Sequence, residues 1–108
     1  MPQLTFKNIK RQSVLELSTA LVDELEALMA VPRDYFTIEH ADSMFIRDSQ
    51  QAPEYPLVFV ALFDRGPEME DKAAKIITKH VQAVGYRDVD VIFSILEKSR
   101  YYENGEHF

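Results

Sequence analysis

Leu57-Val58-Phe59-Val60-Ala61-Leu62-Phe63 carries no polar side chain. Seven apolar residues in a row, bounded by Pro56 and by Asp64-Arg65-Gly66-Pro67, read as a strand covered on both faces, either by helices or by another subunit. Gly66-Pro67 marks the turn that follows, with Pro67 at the first helical position. Glu68, Glu70 and Asp71 suit the positive end of a helix. Ala73, Ile76, Ile77, His80, Val81 and Val84 form its apolar face, and Gly85 is a natural stop. Val89, Val91, Phe93 and Ile95 then alternate with Asp90, Ile92 and Ser94 as a strand.

The first half repeats this order. Residues 3–9 read as a strand around Leu4, Phe6 and Ile9. Ser13-Val14-Leu15-Glu16 has the form of a capping box, and Val14, Leu17, Leu21, Leu25 and Leu28 recur on one helical face as far as Met29. Pro32 closes that helix, and residues 35–42 form the second strand. A polar loop covers residues 46–54, and residues 97–108 form a polar tail with Tyr101, Tyr102 and Phe108. The expected fold is therefore α+β: a βαβ duplication, βαββαβ, giving a four-stranded mixed sheet with two helices on one face. Each crossover joins parallel strands in the right-handed sense. The other sheet face needs a cover, so an oligomer is expected.

Bulk properties narrow the function classes. The 108 residues form one domain, 1–108, of ordinary globular composition, with 46% hydrophobic and 28% charged residues. No cysteine is present, which excludes disulfides, thiolate metal sites and a cysteine nucleophile. No signal peptide is visible, and the longest apolar run is far too short for a membrane span, so a cytoplasmic protein without a membrane partner is expected. The net charge is −6, with Lys and Arg scattered, so no basic stripe offers itself to nucleic acid.

The element order fits two folds, and side chains must choose between them. Met1-Pro2 opens the chain, followed by strand, turn Lys10-Arg11-Gln12-Ser13, amphipathic helix and the turn Val31-Pro32-Arg33-Asp34-Tyr35. With this order the chain resembles the tautomerase superfamily, in particular the macrophage migration inhibitory factor group. The stretch from Tyr55-Pro56-Leu57 to Gly66 is similar to 5-carboxymethyl-2-hydroxymuconate isomerase, and the tail with Asn104-Gly105 and Phe108 is again similar to the migration inhibitory factor group. Pattern-level likeness covers the whole chain; identical residues are few.

The resemblance implies a cofactor-independent keto–enol tautomerase or isomerase of a small 2-keto or enol acid, assembled as a homotrimer. Pro2 becomes the catalytic base once Met1 is removed. An amide proline nitrogen has no basicity, whereas a free N-terminal proline is a secondary amine. Burial disfavours its charged form and lowers its pKa, and a base poised near neutral pH can move a proton alpha to a carbonyl. The resemblance also assigns substrate contact to Arg11, whose guanidinium fork suits a carboxylate. Phe63 and Asp64 fall near pocket backbone, and Tyr102 and Phe108 at an aromatic C-terminal wall. Three positions depart from the pattern: family cations fall on Val31, Thr37 and Glu39 here. Thr37 and Glu39 remain substrate-binding candidates, with Glu39 either a second acid or an outward carboxylate.

Two alternatives stand beside this reading. One is a non-catalytic oligomer that keeps the fold. The other is a ferredoxin-like small-ligand-binding domain, expected to pair strands one and three antiparallel at the sheet centre and to leave the N-terminus unburied. No cofactor is expected. His40 and Asp42 lie two apart, and His80 and His107 have no sequence partner, so no metal site is expected.

Overall fold

A computed structural model describes residues 2–108. Asn8 decides where the first strand ends. It holds φ 57°, in the left-handed region that asparagine tolerates better than most residues. The chain turns at once from β1 (Gln3–Lys7) into α1 (Arg11–Met29). The strand is thus shorter than residues 3–9, and the helix starts two residues before Ser13. Lys10 is the N-cap residue and no side chain caps it, so the capping box at Ser13 does not form. The N–H groups of Ser13 and Val14 instead donate to the Lys10 carbonyl, at 3.1 and 3.3 Å.

α1 buries Val14, Leu17, Leu21 and Leu25 of the stripe read from its spacing, together with Val22 and Met29, while Leu28 is only half-buried. It stops at Ala30, two residues ahead of Pro32, where φ 54° and ψ 45° let the Ala30 N–H reach the Glu26 carbonyl at 2.9 Å. An L-residue pays for that conformation and glycine does not. Ala30→Gly is therefore expected to stabilise the protein by about 0.5–1 kcal/mol. Thermal unfolding reads this as a raised Tm, and an unchanged or lowered Tm contradicts it.

A short 3-10 turn over Arg33–Tyr35 leads into β2 (Thr37–Ala41), shorter than the 35–42 expected because Tyr35 belongs to the turn. The polar loop contains a small hairpin, β3 (Ile46–Arg47) and β4 (Gln50–Gln51), turning through Asp48 and Ser49 at φ 52° and 63°. β5 (Leu57–Phe63) follows as read; α2 (Pro67–Ala83) ends one residue before Val84, with Gly85 at φ 108° beyond it, and β6 (Asp90–Leu96) runs one residue later than the alternation from Val89 to Ile95. The tail makes a second hairpin, β7 (Tyr102–Glu103) and β8 (Glu106–His107). Asn104 and Gly105, at φ 54° and 83°, supply its two left-handed turn residues.

The main sheet has the order β2-β1-β5-β6. β1 and β2 are parallel, β5 and β6 are parallel, and β1 and β5 pair antiparallel at the centre. The antiparallel central pairing expected of the ferredoxin-like alternative is thus present and does not discriminate. Adjacency does. Each helix connects two strands that lie side by side, whereas the ferredoxin-like arrangement splits its βαβ units.

The duplication extends to single residues. Pro2 and Pro56 each precede the first strand of a repeat, and both side chains are fully buried. The Pro2 carbonyl accepts the Thr37 N–H and the Pro56 carbonyl accepts the Asp90 N–H, each at 3.1 Å. Both prolines thereby lock the start of the parallel partner strand.

Alternation sorts the sheet. Leu4, Phe6, Val58, Val60 and Leu62 pack under the helices against Leu21, Leu25, Ile77 and Val81. The opposite face divides into two halves. β5 and β6 contribute Leu57, Phe59, Ala61, Phe63, Ile92 and Leu96, half-buried or exposed; β1 and β2 contribute Gln3, Thr5, Lys7, Thr37 and Glu39. This face carries no helix.

Across the helix pair, Glu24 of α1 accepts from Lys79 at 2.6 Å and pairs with the half-buried His80, both on α2. The Lys79 hydrogen bond, followed by that of His80, holds the Glu24 carboxyl below its ordinary 4.5. A carboxylate whose folded pKa is depressed adds stability that is fully present above the unfolded value and is lost as pH falls through the folded one. Stability should therefore fall below about pH 4.5 more steeply in the parent than in Glu24→Gln. Denaturant titrations at pH 7 and pH 3.5 measure this; equal acid losses in both proteins contradict it.

Candidate active site

Pro2 stands at one end of the sheet, and register defines its surroundings. Gln3 pairs with Thr37 on one side and with Ala61 on the other. One step further, Pro2 lies across from Leu62, beside Phe63 at the end of β5. Pro2, Thr37 and Phe63 therefore share the end of the sheet where β1 and β2 begin and β5 and β6 finish.

The tail returns to this end. The Phe108 N–H donates to the Tyr101 carbonyl at 2.9 Å, closing the terminal hairpin on itself. The Phe63 ring centroid lies 5.3 Å from that of Tyr101 and 5.1 Å from that of Phe108, and the latter two are 5.2 Å apart. Three mutually packed rings thus wall the Pro2 end. Lys98 adds a cation, its Nζ 5.6 Å from the Phe63 centroid.

Other residues singled out in the sequence lie elsewhere within a single chain. Tyr102 faces away from the aromatic cluster, 58% exposed, with its ring on His107 at 4.4 Å. Neighbours along a strand point to opposite faces, so Tyr101 takes the inner place. Glu39 lies on the open sheet face, where its Oε1 accepts from the Thr5 hydroxyl at 3.2 Å. Arg11 opens α1 at the far end of β1, separated from Pro2 by the strand's length, roughly 17 Å. There it lines a cleft of about 330 Å³ with Lys10, Asn8, His40, Asp42 and Glu54. His40 does not pair with Asp42 as a ligand set; its Nε2 lies 2.7 Å from the Ile9 carbonyl. Among the described residues no group of three His, Asp or Glu side chains could hold a metal ion.

Two contributors escaped the sequence reading. Tyr101 and Lys98 sit in a short polar tail without helical or strand periodicity. Their only signal was aromatic and basic residues in a segment that must fold back to be ordered at all. His80 finds its partner Glu24 only through helix packing.

Two adjacent βαβ units joined antiparallel give the chain the tautomerase fold. The migration inhibitory factor-like protein of Entamoeba histolytica shares it at a TM-score of 0.77 and 10% identity, over 99% of this chain and 98% of that one. A fused 4-OT described as an asymmetric trimer matches at 0.78 and 11% identity, over 97% and 94%. Within that fold the chain belongs to the family described as domain of unknown function DUF1904, whose model matches residues 1–107. A DUF1904 domain from Sebaldella termitidis is 30% identical over the full length of both chains, with a TM-score of 0.93. No curated protein matches the sequence. Among the described residues no helix is long and apolar enough to cross a membrane.

Proposed function

We propose that this protein is a cofactor-independent keto–enol tautomerase of small 2-keto or enol acids, working in the cytoplasm as a homotrimer. The carrying observation is a fully buried Pro2 at the sheet end where Phe63, Tyr101 and Phe108 pack together. With Met1 removed, the Pro2 nitrogen is a secondary amine at an apolar site. In the keto-to-enol direction it takes the proton from the carbon next to the ketone. The C–H electron pair becomes the carbon–carbon double bond, and the carbonyl π pair moves to oxygen, which takes a proton. The reverse sequence ketonises the enol. The aromatic rings exclude water from the exchange.

The open sheet face supports assembly. Half of it is apolar and lacks a cover within the chain, and a tautomerase-fold protein of the same topology is a trimer. Neighbouring copies would then bring Arg11 and Tyr102 toward a Pro2 end they do not reach within their own chain. Thr37 and Glu39 line the polar side of that face.

Ketonisation of phenylenolpyruvate tests the reading. Protein lacking Met1 should accelerate it well above buffer, and a rate equal to buffer overturns the proposal. The second reading, a non-catalytic oligomer, draws on Val31, Thr37 and Glu39, which stand where cations are common in the fold's enzymes. It requires that same null result together with an intact assembly.

A further inference from the structure

An acid substrate needs a cation at the Pro2 end, and Val31, Thr37 and Glu39 do not provide one. Among the described residues, Arg33 before β2, Arg65 after β5, and Lys98 and Arg100 after β6 flank the strand ends on that side, and the three arginines already have partners. Arg33 is bound to Asp23 at 2.6 Å and lies 3.7 Å from Glu26. Arg65 donates to the Met29 carbonyl at 3.0 Å, closing the C-terminal end of α1. Arg100 pairs with Glu97 at 3.2 Å. Lys98 differs. Among the described residues no carboxylate lies within ion-pair distance of it, and its ammonium stands over the Phe63 ring.

We infer that Lys98 is the carboxylate anchor of this site and selects 2-keto acids over their neutral analogues. The inference rests on the tautomerase reading for the identity of the ligand, but not on Pro2 acting as base. Lys98 opens the short turn Lys98–Arg100 directly after β6, and β6 ends beside Phe63, its Leu96 being the register partner of that residue. A ligand lying on the Phe63 ring therefore meets the ammonium at the end of the sheet where Pro2 stands. The stem of Lys98 covers aromatic surface while its charge stays free to meet an anion. A bound carboxylate gains a charge-assisted hydrogen bond there, next to an apolar wall that weakens competition from water. The cation has moved from the second strand, the place the superfamily pattern gave it, to the C-terminal tail.

Lys98→Met tests this, because it keeps the apolar stem over Phe63 and removes only the charge. Calorimetric titration with phenylpyruvate and with its methyl ester provides a readout independent of turnover. The expected result is about tenfold or greater loss of phenylpyruvate affinity in Lys98→Met, recovery in Lys98→Arg, and equal ester affinity in all three proteins. In turnover the same variant should raise KM with kcat changed far less. Unchanged phenylpyruvate affinity in Lys98→Met overturns the anchor, as does a parent protein that does not bind phenylpyruvate. Parent-like kcat after blockage of the Pro2 nitrogen, with the Lys98 effect intact, removes the base and leaves the anchor standing.

Discussion

Carbamoylating the Pro2 nitrogen is expected to lower phenylenolpyruvate turnover by about 10²–10⁴-fold, the contribution of one positioned general base. The cap turns a secondary amine into a urea nitrogen without usable basicity, while the ring remains where packing holds it. Substitution alone is a weaker probe, since Pro2 also has a structural task. Its carbonyl receives the Thr37 N–H that starts the β1–β2 ladder. The duplication supplies the control. Pro56 is equally buried and its carbonyl receives the Asp90 N–H in the same way, but its nitrogen is locked in an amide. Pro56→Ala should therefore cost stability with little change in kcat, whereas capping Pro2 should cost kcat with little change in Tm. Equal turnover before and after capping contradicts the assignment of Pro2.

Ile92→Glu is expected to dissociate the assembly. Ile92 is 42% exposed in the single chain, on the helix-free face beside Phe59. A charge at such a position in an isolated protomer changes stability by no more than about 0.5 kcal/mol. Buried without a partner against a neighbouring sheet, the same carboxylate costs on the order of several kcal/mol, and every copy carries one. Sedimentation should find the parent as a trimer and the variant as folded monomer, with turnover lost if neighbours complete the site. A variant that sediments like the parent shows that this face is not the interface. A parent that is itself monomeric does the same.

Much of the fold was legible because burial leaves a period in the sequence. The stripes of α1 and α2 reappear in one packed core together with Val58, Val60 and Leu62 of β5, while Leu57, Phe59, Ala61 and Phe63 of the same strand face the open side of the sheet. Strand and helix ends were less legible, because they depend on backbone angles that several residue types can adopt. Asn8 and Ala30 both take positive φ, and neither lies in a sequence context that demands it. Gly85 did give such a signal, and α2 stops just before it as read, whereas the hairpin turn at Asn104-Gly105 lay in a tail read only as polar. The candidate site divides in the same way. Pro2, Phe63 and Phe108 were singled out only through the resemblance to the tautomerases. Tyr101 and Lys98 were not, since their positions follow from a tail hairpin that brings residues some 40 apart in sequence against one ring. The pairing of Glu24 with His80 bridges a longer gap still.

The central claim is that a free Pro2 nitrogen moves the proton. The most direct measurement is phenylenolpyruvate turnover across preparations that differ only in the fraction of chains from which Met1 has been removed, that fraction being read by intact mass. Turnover should rise in proportion to the processed fraction and extrapolate to the buffer rate at zero. A rate independent of that fraction would contradict the account.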